Sequence, residues 1–380
     1  MRRWSGGVLL VALAVGAAPT CAVVGGPQRV PATILIEAEG GQVLREQDAD
    51  SPRPEGSLNQ LMLLLLGLEQ SALGALPLDV PVTISQGAVS AAAASGIRVP
   101  LRSDRVYLLS DLLKAVTIAG ANDAAVGVAE AIAGSVAACV ELMNARAQRL
   151  GMAATHYSSI GGTKVTAGAP AETTTARDLV RLAQALVRQR LVLEWASLSG
   201  VPFDEGAVLL RNTNQLLGAF AGADGLQISS ARTAHGDSYS IVATAQRDNL
   251  RLIAVVFDAS DTSTRYRTAA ELLEWGFAHY QRIDVIRKGE PVNLPVQVVN
   301  GTIARLTPVA GQTLSLLRRR DDERDLQLRY QLPAMLAAPL KRQQPIGEIV
   351  VEERGELVGV VPALSPVAVA ATGMLSAALP

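Results

Sequence analysis

The chain has 380 residues, 49% hydrophobic and 18% charged, with a formal net charge of -1. That composition supplies apolar material for one large core and a smaller satellite domain, and it excludes an intrinsically disordered chain. The balanced charge, with no long basic run, excludes sustained contact with a nucleic-acid backbone.

Met1-Arg2-Arg3, an apolar stretch from Val8 to Ala18 and the small residues Thr20-Cys21-Ala22 read as a secretory signal peptide over residues 1–22, cut after Ala22. Pro19 disfavours an earlier cut, and Ala18-Pro19-Thr20 is a poor lead-in for a lipid-modified Cys21, which stays as the alternative. Loss of Cys21 leaves Cys139 as the single cysteine, so no intrachain disulfide can form. Its setting, Ala137-Ala138-Cys139-Val140, is that of a small buried hydrophobe. No later segment approaches the ~20 apolar residues of a membrane span. The mature chain is therefore expected outside the cytoplasm, periplasmic or in the cell envelope.

Thr33 to Ala38 alternates like a strand, and Glu39-Gly40-Gly41-Gln42 supplies a hairpin turn before Val43 to Glu46. A helix follows Ser57, beginning in the apolar run Leu61 to Leu66. Helical spacing recurs from Ser110 to Ile118 and from Asp123 to Leu150, separated at Gly120-Ala121. A third stretch runs from about Thr175 to Gln189, with Thr175 as its cap before Asp178. Strands return at Tyr239 to Ala245 and Leu252 to Asp258, turned by Arg247-Asp248-Asn249, and a helix from about Thr268 to Tyr280 closes the domain. Strand, helices, then strands imply an α+β fold with an antiparallel sheet covered by helices. The expected main domain covers residues 28–284. A mostly β domain covers 285–364, with runs at Val296 to Val299, Leu326 to Leu332 and Ile346 to Val351. The apolar tail 365–380 reads as frayed, with weak peripheral membrane contact as the alternative.

Four stretches carry a family likeness: Gly41 to Asp50; Ala121-Asn122-Asp123-Ala124-Ala125; Leu142-Met143-Asn144 with Leu150-Gly151-Met152 and Thr155-His156-Tyr157; and Glu274-Trp275-Gly276-Phe277. Together with the order of the elements over roughly residues 30 to 360, they resemble the serine-type D-alanyl-D-alanine carboxypeptidases. These are the low-molecular-mass penicillin-binding proteins related to class A β-lactamases. The resemblance implies that fold, a peptidoglycan stem peptide ending in D-Ala-D-Ala as ligand, and no cofactor or metal. It also implies three motifs, and this chain departs from each. Ser-x-x-Lys reads Ser57-Leu58-Asn59-Gln60, keeping the nucleophile and losing its base. Ser-x-Asn reads Gly120-Ala121-Asn122, keeping only the asparagine. Lys-Thr-Gly reads Gln227-Ile228-Ser229 after a retained Asp224-Gly225 lead-in.

An unassisted serine hydroxyl is a weak nucleophile, and a glutamine cannot take its proton at any ordinary pH. General-base assistance is typically worth about 10²–10⁴ in rate. Gly120 has no side chain for the proton relay that the resemblance assigns to the second motif's serine, and Gln227 removes the third motif's cation. Efficient acylation is not expected. The backbone amides of Ser57 and Ser230 can still form an oxyanion pocket, and Arg232 is a candidate to hold a terminal carboxylate. Lys164, in the loop Gly161-Gly162-Thr163-Lys164, is the candidate replacement base; Lys114, His156 and His235 are weaker ones. Three histidines make no metal-ligand spacing. Three readings follow: an impaired carboxypeptidase relative that binds stem peptides or a cell-wall protein; a divergent active enzyme with a recruited base; or an interaction module using the C-terminal domain, where Arg318 to Arg324 forms a solvated mixed-charge loop.

Overall fold

The computed structural model describes Met1 and residues 30–95, 97–161, 171–233, 236–322 and 324–372, with backbone alone at 91–95, 227–233 and 236. Apart from Met1, the expected signal peptide lies outside the described residues, as do Lys164 and His235.

The first domain begins with the hairpin β1 (Ala32–Glu37) and β2 (Val43–Gln47) and a 3₁₀ turn over Gly56–Asn59, which leads into α1 (Gln60–Ala72). There follow β3 (Pro81–Thr83), α2 (Gln86–Ser95), β4 (Val106–Leu108), α3 (Leu109–Ala119), α4 (Asn122–Ala133), α5 (Val136–Arg149), α6 (Ala176–Leu186) and α7 (Arg190–Ala196). The chain then returns through β5 (Gly200–Phe203), β6 (Val208–Arg211), β7 (Ala223–Thr233), β8 (Gly236–Arg247) and β9 (Leu250–Ala259) to α8 (Thr262–His279). The main sheet is antiparallel, in the order β2-β1-β9-β8-β7.

Helices cover both faces of that sheet, which is why β1 and β9 are apolar almost throughout rather than alternating with polar residues. Ile34, Ile36, Ile253, Val255 and Phe257 face the helical core that includes α1 and α6. Leu35, Leu252, Ala254 and Val256, one residue out of phase, face α8. At Gly276 the helix α8 comes so close that a Cβ would stand 2.6 Å from Leu252 Cδ1 and 2.9 Å from Leu35 Cδ2. The helix α1 is buried continuously from Gln60 to Leu68, as its nearly uninterrupted leucines require.

The expected single helix from Asp123 to Leu150 is two helices bent by 80°. Gly134 takes a left-handed conformation that ends α4, and the Ser135 hydroxyl accepts from the amide of Ala138 to start α5. That Gly-Ser punctuation outweighs the apolar periodicity on either side. The helix α8 starts earlier than expected because Asp261, not a residue near Thr268, caps it through the Thr264 amide. Thr175 caps α6 as expected, accepting from the Asp178 amide.

The C-terminal domain comprises β10 (Tyr280–Ile286), β11 (Val296–Val299), β12 (Arg305–Leu306), β13 (Val309–Ala310), β14 (Leu314–Arg319), β15 (Leu326–Gln331), β16 (Met335–Ala337), β17 (Pro345–Glu353) and β18 (Glu356–Leu364). A four-stranded sheet, β13-β18-β17-β15, packs Ile349, Val351, Val361 and Ala363 against Ile286 and Val292. Two expectations are corrected here. The segment from Arg318 is not a merely solvated loop: Arg318 bridges Asp322 at 3.3 Å and Glu353 of β17 at 2.8 Å, and Arg324 reaches Glu353 at 2.9 Å. The tail is not frayed over 365–372, since Ser365 and Val369 are buried, Val369 bridges Leu340, and the Thr372 amide donates to Asn300 at 2.7 Å. Residues 373–380 lie outside the described part.

Candidate functional site

Ser57 is half-buried in the Gly56–Asn59 turn, immediately after Gly56 at φ 67°. Leu58, fully buried, anchors the turn from the core side. Gln60 is the first residue of α1, so it stands one 3₁₀ turn from Ser57, and such a turn places residues three apart over one another. Its side chain is 0% exposed and its Nε2 donates to Asn122 Oδ1 at 2.7 Å, with a longer contact to the Gly120 carbonyl at 3.4 Å. Asn122 opens α4 one residue after the extended Ala121, and Gly120 ends α3 in the left-handed conformation at φ 64°. The first two motif positions are thus joined by a neutral amide-to-amide hydrogen bond.

The third motif position comes from β7, which lies against the Gly56–Asn59 turn. Gln227, Ile228, Ser229 and Ser230 pair in register with Val242, Ile241, Ser240 and Tyr239, and Arg232 with Asp237. The side chains of Gln227, Ile228, Ser229, Ser230 and Arg232 lie outside the described part. The lead-in is structural: Thr244 donates to Asp224 at 2.6 Å, Arg251 pairs with the same carboxylate, and Gly225 at φ 109° lies so close to Ala196 that a Cβ would stand 2.6 Å from its carbonyl oxygen.

A second ring of residues supports the turn and was not singled out from sequence. Asn59, fully buried, donates to the Ser159 carbonyl at 3.1 Å and to Glu172 Oε1 at 3.4 Å, and accepts from the Gly161 amide at 2.8 Å. Glu172 also accepts from the amide of Ser159 at 2.7 Å. Gly161, at φ 44°, covers Gln60 so closely that a Cβ there would fall 2.3 Å from Nε2. The signal in sequence was a polar Asn59 at the head of an otherwise apolar helix. Its partners are about a hundred residues away and cannot be read locally.

Among the other candidates, Lys114 pairs with Asp111 one turn earlier on α3, at 3.1 Å. The backbone of His156 forms a bridge with Thr173. Cys139 is fully buried on α5, and burial pushes its thiol up to about 12, which keeps it protonated. Among the described residues no group of His, Cys, Asp or Glu could hold a metal ion.

A serine on a turn heading a buried helix, an asparagine at the start of a second helix and an antiparallel strand beside both define a penicillin-binding fold. Residues 27–261 match the family model described as D-alanyl-D-alanine carboxypeptidase, and residues 280–371 match that of the penicillin-binding protein 5 C-terminal domain. The chain belongs to the D-alanyl-D-alanine carboxypeptidase family, peptidase S11. It is 26% identical over 339 residues to the carboxypeptidase DacF of Bacillus subtilis, covering 88% of this chain and 83% of that one. In fold it resembles a peptidoglycan synthesis regulatory factor (PBP3) from Streptococcus pneumoniae, with a TM-score of 0.72 and 22% identity, covering 89% of this chain and 98% of that one. Penicillin-binding protein D2 from Listeria monocytogenes, solved in its ampicillin-bound form, matches with a TM-score of 0.56 and 30% identity, covering 65% of this chain and 96% of that one.

Proposed function

We propose that this is an exported member of its family in which the Ser57 site has lost efficient acyl transfer and serves instead to bind a cell-wall stem peptide ending in D-Ala-D-Ala or a cell-wall protein. The observation that carries the reading is the Gln60 to Asn122 hydrogen bond, which occupies the place of the proton acceptor with a neutral, buried amide. Such a group stabilises the ground state of the fold and offers no base. With Gly120 in place of a hydroxyl and Gln227 in place of a cation, the three motifs retain backbone donors at Ser57 and Ser230 as aids to acylation. Those donors suffice to orient a peptide carbonyl. The strand β7, with Gln227 to Ser230, is the binding strand of this reading, and Arg232 its carboxylate holder.

A synthetic pentapeptide ending in D-Ala-D-Ala tests this. Titration calorimetry is expected to record binding, while amino-acid analysis records no release of D-alanine above the uncatalysed background. Arg232→Glu is expected to weaken binding about tenfold, or about 1.4 kcal/mol. Catalytic release of D-alanine that is lost in Ser57→Ala contradicts the reading and supports an active enzyme with a recruited base such as Lys164. An affinity for the peptide unchanged in Arg232→Glu removes Arg232 from the site.

A further inference from the structure

Behind the turn that presents Ser57 lies a polar cluster that the Ser57 site does not use. Glu55 is 2% exposed, and neither of its carboxyl oxygens has a hydrogen-bond partner among the described residues. The buried hydroxyls of Tyr157 and Ser158 are without a partner in the same way. Two further carboxylates face Glu55. Glu172, from the segment before α6, is held by the amides of Ser158 and Ser159 and by Asn59. Asp178, on α6, accepts from the Ala154 amide at 3.0 Å and the Thr155 hydroxyl at 2.8 Å. Asp178 is itself paired with Arg181, and Arg53, two residues before Glu55 in the chain, pairs with Asp48 and Asp258.

A buried carboxylate with no partner is not tolerated in a protein interior, and two like charges beside it make its ionised form less favourable still. Burial first, then Glu172 and Asp178, hold the Glu55 carboxyl well above the usual carboxylate range. Two connections tie this group to the site. Glu55 directly precedes Gly56-Ser57, and Asn59 of the same turn is bonded to Glu172 and to the segment 159–161. We propose that the cluster of Glu55, Tyr157, Ser158 and Glu172 is a proton-controlled latch on the Ser57 turn. With Glu55 uncharged, the Gly56–Asn59 turn stays docked on residues 157–161. When Glu55 gives up its proton to solvent, the turn moves to bring the carboxylate to water, which displaces Ser57 and strains the Asn59 bonds. This device is independent of whether Ser57 is inert.

The sign follows from linkage. The docked turn holds Glu55 protonated more firmly than the undocked one does, so docking is strongest below the ordinary carboxyl range and weakens as pH rises from there towards the raised pKa. Amide hydrogen exchange over residues 55–61, corrected for intrinsic rates, is expected to lose protection by roughly tenfold per pH unit within that window, one proton being released on opening. In Glu55→Gln, a neutral near-isostere, protection is expected to be flat with pH. Infrared difference spectra between wild type and Glu55→Gln are expected to contain the carbonyl stretch of a protonated carboxylic acid above the ordinary carboxyl range, where an exposed carboxyl is already ionised. Equal pH dependence in the two proteins overturns the proposal. Should Glu55→Gln fail to fold, the infrared titration of the wild type decides alone: the acid band must persist above the ordinary carboxyl range while protection is already falling, and its absence there is a contradiction.

Discussion

At position 60 the side chain has been fitted to its neighbours as an amide. Gln60→Ala removes the donor to Asn122 and is expected to cost about 1–3 kcal/mol in chemical denaturation of the first domain. Gly161 is coupled to it. Gly161→Ala meets both a left-handed backbone and the Gln60 amide, and is expected to destabilise by more than 1 kcal/mol, roughly; part of that loss should vanish in a Gln60→Ala background, where the contact is gone. Strict additivity in that double-mutant cycle speaks against the coupling. Cys139, held protonated in the core, is expected to resist a thiol-alkylating reagent at neutral pH until denaturant is added. At this scale the motif residues Ser57, Gln60, Gly120 and Asn122 were legible because each motif is contiguous in the chain. Asn59, Glu172 and Gly161 were not, because their roles arise from contacts between distant segments.

At the scale of elements, capping and close packing set the boundaries on which the site depends. Thr175→Ala removes the cap of α6, the helix that carries Asp178, and is expected to cost about 1 kcal/mol by denaturant titration. Gly276→Ala pushes a methyl group into Leu252 and Leu35 at the α8 face of the sheet, and about 1–3 kcal/mol is expected to be lost through overpacking. A neutral or stabilising result would mean that α8 can retreat from the sheet. The strands β1, β8 and β9 were readable because their β-branched and apolar runs are bounded by turn residues, including Asp248 at φ 52°. The break between α4 and α5 was missed because both helices keep an apolar stripe across Gly134-Ser135. The helices α2 and α7 were missed for another reason: one is largely alanine with little periodicity, and the other is only seven residues long.

For the molecule as a whole, the two domains meet where β10 leaves α8. Arg282 of β10 reaches back to Glu37 at 2.9 Å and Glu39 at 2.5 Å beside the β1–β2 turn. Glu37 is 2% exposed, so Arg282→Ala leaves a buried carboxylate without its cation and is expected to cost on the order of 2 kcal/mol, read as a lower unfolding midpoint in calorimetry. The fold class was legible from element order and local likeness, whereas the packing of residues 365–372 on the β domain was not, since an apolar, uncharged stretch looks the same whether docked or loose. The central claim, that Ser57 has lost efficient acyl transfer on a penicillin-binding scaffold, is tested most directly by intact-protein mass spectrometry after incubation with a β-lactam. The expected spectrum is that of the unmodified chain. A stoichiometric adduct that disappears in Ser57→Ala would contradict the account.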